Sequence, residues 1–317
     1  MSPDTQQSRS IDELNGSEDV PSMNWIKIPA GEFIFGSSEN TPCRAPIAET
    51  TFKVQLTHSF EISETEITQA QWEMMALPNP SKDVSNDKPV TFVSYYEALV
   101  WCNKLSLLEE LDTCYDLSSC KNAFGTGCSS EEGCIDEENS FICKANIHKF
   151  ANYYECPGYR LPTVAEWEYA AKGGTKGDTY GGDVHYVPTD ECEEEPALED
   201  IAWYCNNSGG TIHPVKQKQA NPWGLYDILG NVYEWVDYYF HGQSLTDEYS
   251  SEDIVLTDPV GPQTGDTVSL NGGAFNQTGC YVRPSRPLYF WPYTRISHTG
   301  FRPVRTLFGD EANSDAD

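Results

Sequence analysis

Helix starts are the most restrictive feature of this chain, because three of them are written out and each opens onto a short run. Thr68 with Gln71, Ser94 with Glu97 and Thr163 with Glu166 place a hydroxyl three residues ahead of a Gln or Glu. In that pattern the hydroxyl accepts from the third helical amide while the longer side chain reaches back to the cap's own N–H. The first box predicts a helix from Thr68 to about Met75. The second predicts one from Ser94 to about Glu110, with Ala98, Trp101, Cys102 and Leu105 on one face. The third predicts one that ends at the breaker pair Gly173-Gly174.

Little else in the chain supports a long element, since 24 Gly and 20 Pro are spread through its 317 residues. Trp25-Ile26-Lys27-Ile28 and Glu32-Phe33-Ile34-Phe35 read as short strands around a Pro-Ala-Gly turn, and Phe52–Leu56 and Phe60–Ile62 read as two more. Residues 1–23 are expected to be a disordered leader, 24–305 one loop-rich domain, and 306–317 an acidic disordered tail. Residues 112–157, rich in Cys, Gly, Ser and Asn, read as an insertion. Residues 183–199 read as a solvated acidic loop.

Lys and Arg total 20 against 49 Asp and Glu, giving a formal charge of −29. Such a field repels nucleic acid and anionic membranes, so neither is an expected partner. It attracts cations, and carboxylates with carbonyls serve calcium best. No apolar run approaches 18 residues, so no transmembrane helix is expected. The start of the chain lacks the basic end and apolar centre of a signal peptide. The cysteines point the other way. Eleven are present, six of them between Cys114 and Cys156. Their irregular spacing argues against zinc and for a disulfide-stapled insertion, which needs an oxidising compartment, extracellular or periplasmic.

The richest stretch chemically is Asn271 to Arg305. It opens on Gly272-Gly273 and carries Arg283, Arg286, Arg295 and Arg302 around the aromatic run Tyr289, Phe290, Trp291 and Tyr293. Cations, flat apolar walls and glycines are the ingredients of a binding groove. Arg283, Arg286 and Arg295 are the expected floor of a groove for a protein, peptide or small ligand, with Tyr289, Trp291 and Tyr293 as apolar contacts. Arg302, inside Gly300-Phe301-Arg302, is expected to pair with a buried acid.

Several segments in order resemble the formylglycine-generating enzyme, or sulfatase-modifying factor, family. They are Ile28–Phe33, Glu64–Trp72, Pro89–Ser94, the most specific run Tyr159–Ala171, Gly224–Trp235, and Gly272-Gly273 through Arg302. The resemblance implies an α+β fold, a C-type-lectin-like variant with many loops and a groove along the C-terminal segment. Family enzymes oxidise a substrate cysteine to formylglycine using a cysteine pair that holds copper(I), and soft thiolates suit that ion. Here Ala274 stands in place of the family serine, the first cysteine has no counterpart, and Cys280 alone lies beside the second position. The resemblance also places calcium on Asp227, Gly230, Val232 and Glu234, and a second calcium on Asp200, Ile201, Asn207 and Gly209. Three functions follow. The first is a non-catalytic, calcium-stabilised binding domain. The second is a formylglycine-generating oxidase with a rearranged copper site that uses Cys280. The third is a ligand-binding protein diversified by a retroelement.

Overall fold

The computed structural model describes residues 23–127, 137–144, 147–185, 191–240, 255–262, 264–309 and 311. Each capping box opens a helix: α1 (Gln69–Met74), α2 (Tyr95–Leu108) and α3 (Val164–Lys172), with both reciprocal bonds present in all three. α3 stops at Gly173, which takes the left-handed conformation a side chain resists (φ 55°). Ala98, Trp101, Cys102 and Leu105 are all fully buried on α2.

The strands are β1 (Trp25–Ile28), β2 (Gly31–Phe35), β3 (Phe52–Leu56), β4 (Phe60–Ser63), β5 (Tyr233–Phe240), β6 (Val255–Thr257), β7 (Thr267–Asn271), β8 (Leu288–Phe290), β9 (Thr299–Gly300) and β10 (Val304–Thr306). They form three sheets, ordered β1-β4-β10, β2-β3-β6 and β8-β7-β5-β9. The two strands around Pro29-Ala30 both exist but belong to different sheets. β1 pairs with β4 (Ile26 opposite Ile62), while β2 pairs with β3 (Phe33 opposite Val54). One apolar core gathers around α1 and α2, with Trp72, Trp101 and Phe301; the other gathers around α3, with Trp167, Val54 and Ile62.

The domain is longer than 24–305 at both ends. Met23 packs on the first core. Thr306 lies in β10 opposite Phe60, and Leu307 is buried, so the expected tail starts later than residue 306. The rest of the expected leader, residues 1–22, and residues 312–317 of the tail lie outside the described residues.

Among the described residues, four disulfides join Cys43 to Cys280, Cys114 to Cys156, Cys120 to Cys143 and Cys192 to Cys205. They fit an oxidising environment. Cys114–Cys156 closes the base of the insertion. Its interior is tied down by Asp237 of β5, which accepts from Tyr95 of α2 (2.7 Å) and Tyr115 (3.1 Å) and contacts His148 Nε2 at 2.8 Å. The acidic loop is less solvated than its composition suggests. Glu195 is buried and accepts from the backbone amides of His185 and Ala197.

Arg160 and the capping Glu166 form a buried two-pronged pair at 2.7 and 2.8 Å. Burial alone would raise the Glu166 carboxyl, but Arg160 first and His58 after it together hold it down at about 2. A carboxyl depressed in the fold contributes stability above its unfolded value, near 4.3, and loses it as pH falls towards 2. The unfolding free energy from urea titrations between pH 5 and 2 should therefore fall by an amount on the order of 2–3 kcal/mol attributable to this carboxylate. In Glu166→Gln the acid-dependent fall should be visibly shallower; an unchanged slope would remove the pair from the acid response.

Candidate functional site

The C-terminal segment leaves β7 through Gly272 and Gly273, both at positive φ (94° and 80°). A Cβ on Gly273 would stand 2.7 Å from Val282, so a side chain there would force the turn apart. Beyond the turn, three of the six expected groove residues face inward. Arg283 is 1% exposed and grips Glu49 through both terminal nitrogens (2.8 and 3.0 Å) while donating to the Cys280 carbonyl. Arg295 is buried against Glu97 (3.2 Å) and the Phe92 carbonyl (2.8 Å). Tyr293 is buried as well. Arg283, Arg295 and Tyr293 are therefore corrected from groove lining to core: the two guanidiniums are taken up by buried Glu49 and Glu97, and the ring packs inside. Arg302 does pair with a buried acid, Glu234, as expected.

What the segment leaves at the surface is smaller. Arg286 is partly exposed over the Tyr281 ring (4.9 Å) and 3.5 Å from Glu49. Tyr289 stacks on Phe240 at 4.1 Å, and Trp291 is 39% exposed. Cys280 is also corrected: its sulfur is bonded to Cys43, so it is no free thiol. Among the described residues the free cysteine is Cys102, which is buried in α2 and whose thiol burial pushes well up.

The structure instead opens a cleft of about 1100 Å³ between β2 and the turn after α3. One wall is aromatic, with Tyr169 between Phe33 (5.1 Å) and Trp223 (4.8 Å). Lys53 and Lys176 are exposed at its rim, and of the C-terminal segment Ser285 reaches it. Gly174 keeps the Trp223 indole uncovered, since the nearest atoms to a Cβ there would be those of the indole, at 3.8 Å. The cleft has no contiguous motif, because its walls come from residues 32–53 and 169–184 with Trp223 and Ser285. The available signals were Gly173-Gly174 and the aromatic in Asn221-Pro222-Trp223-Gly224.

The first calcium set falls on one segment. Asp227 sits at positive φ (53°), is buried, and accepts from the Lys216 amide at 2.6 Å. Burial pushes its carboxyl up to about 6. Glu234 is occupied: Arg302 Nε reaches both of its oxygens at 2.8 Å and Trp167 Nε1 donates to one at 2.7 Å. Beside them Glu66 is fully buried, and neither carboxylate oxygen has a hydrogen-bond partner. The second set is not assembled in this way. Asn207 closes its own turn, accepting from the Tyr204 amide and donating to the Ala202 carbonyl (both 3.0 Å). The Ile201 carbonyl accepts from Tyr180 (3.2 Å), and Asp200 and Gly209 are exposed. No group of three or more His, Cys, Asp or Glu side chains converges on a metal position among the described residues.

A loop-rich α+β domain with this C-terminal turn defines a class of protein, and comparison with known proteins gives its family. The sulfatase-modifying factor enzyme 1-like domain matches residues 12–307. The chain belongs to this family, and its fold is the family's C-type-lectin-like variant. It is 34% identical over 186 residues to chaperone protein LppX of Paenibacillus barcinonensis, covering 56% of this chain and 61% of that one. It is 34% identical over 136 residues to the formylglycine-generating enzyme of Streptomyces coelicolor, covering 39% and 38%. The chain thus spans about 40–60% of the length of these curated relatives. Variable protein 1 of Treponema denticola superposes with a TM-score of 0.65 at 28% identity, over 90% of this chain and 95% of the other.

Proposed function

We propose that this domain is a non-catalytic, calcium-stabilised binding module of the sulfatase-modifying factor family, acting outside the cell or in the periplasm. Its ligand lies in the cleft walled by Phe33, Tyr169 and Trp223. The observation that supports this reading most is the fate of Cys280. While it is bonded to Cys43 this sulfur offers copper(I) no thiolate, so an oxidase would first require reduction of that disulfide. The unpartnered carboxylate of Glu66 beside Asp227 supports the calcium part. The cleft carries Glu32, Asp178 and Asp183 against Lys53, Lys172 and Lys176, a balance that suits a polar ligand of little net charge in spite of the acidity of the chain.

The alternative, an oxidase, predicts copper uptake. Anaerobic loading with Cu(I), followed by oxygen consumption with a peptide containing Cys-x-Pro-x-Arg, should give neither stoichiometric copper nor turnover. Turnover would overturn the non-catalytic reading. On immobilised glycan and peptide arrays, signals from the wild type should be lost in Trp223→Ala; signals that persist unchanged would move the ligand away from the cleft.

A second reading, a ligand-binding protein diversified by a retroelement, is favoured by the likeness to the Treponema protein named for its variability. It predicts a reverse transcriptase and a near-identical template repeat of the Phe275–Thr299 coding segment beside the gene.

A further inference from the structure

Sheet β2-β3-β6 ends on β2, which among the described residues pairs with β3 alone. Two hydrogen bonds show which of its backbone groups look outward. The Gln55 carbonyl on β3 accepts from the Asp258 amide at 2.9 Å, so Gln55 turns its backbone groups towards β6. Glu32 stands opposite Gln55 in an antiparallel pair and therefore turns its own groups away from β3. The Ile34 carbonyl agrees, since it accepts from Lys172 Nζ of α3 at 2.7 Å. Glu32, Ile34 and Gly36 thus present their backbone at the free edge, and all three line the cleft.

That edge is closed at one end and open at the other. Lys172 also reaches the Gly36 carbonyl (2.8 Å), and the Gly36 amide donates to Glu168 (2.8 Å). The N–H and C=O of Glu32 and the N–H of Ile34 have no protein partner among the described residues. Tyr169 lies beside this open stretch: its ring is 5.1 Å from that of Phe33, and its hydroxyl would stand 2.2 Å from a Cβ on Gly31. An unpaired edge is a template for another strand, and proteins blunt the edges they do not use. Here the blunting by Lys172 stops short of Glu32, where the edge faces a cleft with an aromatic wall.

We infer that the cleft takes an extended protein segment, which joins β2 as a fourth strand and hydrogen-bonds to Glu32 and Ile34. Alternate side chains of that segment fall on opposite faces. Those on the Phe33 side rest on Tyr169 and Trp223 and are apolar; those on the other side stand beside Glu32 and Lys53. Charge selects the outward ones. Lys172 pairs with Glu168 (2.7 Å), Asp178 accepts from Thr41 (2.6 Å), and Asp183 accepts from the Asp178 amide (3.2 Å). Glu32, Lys53 and Lys176 have no partner among the described residues, which leaves one carboxylate against two ammoniums. The segment therefore carries an acidic side chain among its outward positions and little net charge.

This inference names the ligand class for the cleft of the proposed function and rests on that reading; the experiment separates the two. Heptapeptides displayed on phage are selected on the full chain. The enriched sequence is then synthesised with its backbone N-methylated at one position at a time, which removes an amide donor and keeps the side chain. Affinity should fall about tenfold at alternate positions and change little between them, because every second amide of an added strand faces β2. Ile34→Pro removes an outward amide at an edge position, where proline is tolerated, and should weaken the unmodified peptide by a similar factor. The scan along the peptide needs no change in the protein, so it decides even where Ile34→Pro does not fold. Binding that is lost in Trp223→Ala but shows no period of two would keep the cleft as the ligand site and overturn strand addition. Binding that survives Trp223→Ala would remove the cleft reading together with this one. No enriched peptide, alongside a glycan signal that needs Trp223, would keep the cleft and overturn the protein segment as its occupant.

Discussion

Arg302→Ala is expected to lower the unfolding free energy by about 3–5 kcal/mol, the range for removing one partner of a buried ion pair. The guanidinium is fully buried, and its loss strips Glu234 of a two-oxygen partner. It also leaves the Ser63, Glu64 and Tyr226 carbonyls short of a donor. Three stretches distant in the chain are held by backbone hydrogen bonds as well as by this side chain, so the fold should persist and the loss should appear as a lower urea midpoint with the slope retained. Arg302→Lys should recover little, because a single ammonium cannot reproduce the planar fork that spans a carboxylate and three carbonyls. A measured loss under about 1 kcal/mol would be the magnitude of a surface pair and would contradict the burial described here.

Arg283→Ala should cost about 3 kcal/mol or more by the same logic. Its partner Glu49 is 0% exposed and lies in the loop that also carries Cys43. Arg283 donates to the carbonyls of Cys43 and Cys280, so ion pair and disulfide clamp the same two strips of chain. Arg286, 3.5 Å from Glu49, softens the loss by remaining as a weaker cation. The informative comparison is the double variant Glu49→Gln with Arg283→Met. Replacing both charges should recover most of what the single change loses, since the penalty lies in the stranded carboxylate rather than in the bond itself. A double variant as unstable as Arg283→Ala would mean that packing, not charge, is responsible.

These two residues also show where the sequence stops being legible. The helices were readable because a capping box is a local device, complete within four residues, and Thr68, Ser94 and Thr163 all use it as their neighbours suggest. Sheet membership was not local: Ile62 sits between Ile26 and Val304, and nothing in Phe60–Ile62 names either partner. The site suffered in the same way. Arg283 has the chemistry of a ligand contact and of a core ion pair alike, and the acid that decides between them lies 234 residues earlier. Cys280 finds its partner 237 residues away. The cleft was harder still, since it needs four separated parts of the chain to exist as a surface at all. Family membership, by contrast, was carried by short conserved-order runs such as Tyr159–Ala171, which need no tertiary knowledge to read.

One feature of the sheet β1-β4-β10 bears on how the domain can be used. β1 and β10 flank β4 on opposite sides, both antiparallel to it. Strands lie roughly 4.8 Å apart and rise about 3.3 Å per residue, so Trp25 and Thr306 stand on the order of 15 Å from each other. The chain enters this sheet at the Ser63 end of β4 and leaves it at the Phe60 end, on the opposite edge. A host polypeptide that carried this domain in the middle of a loop would therefore have to bridge a diagonal of the sheet, across its width and along β4 together.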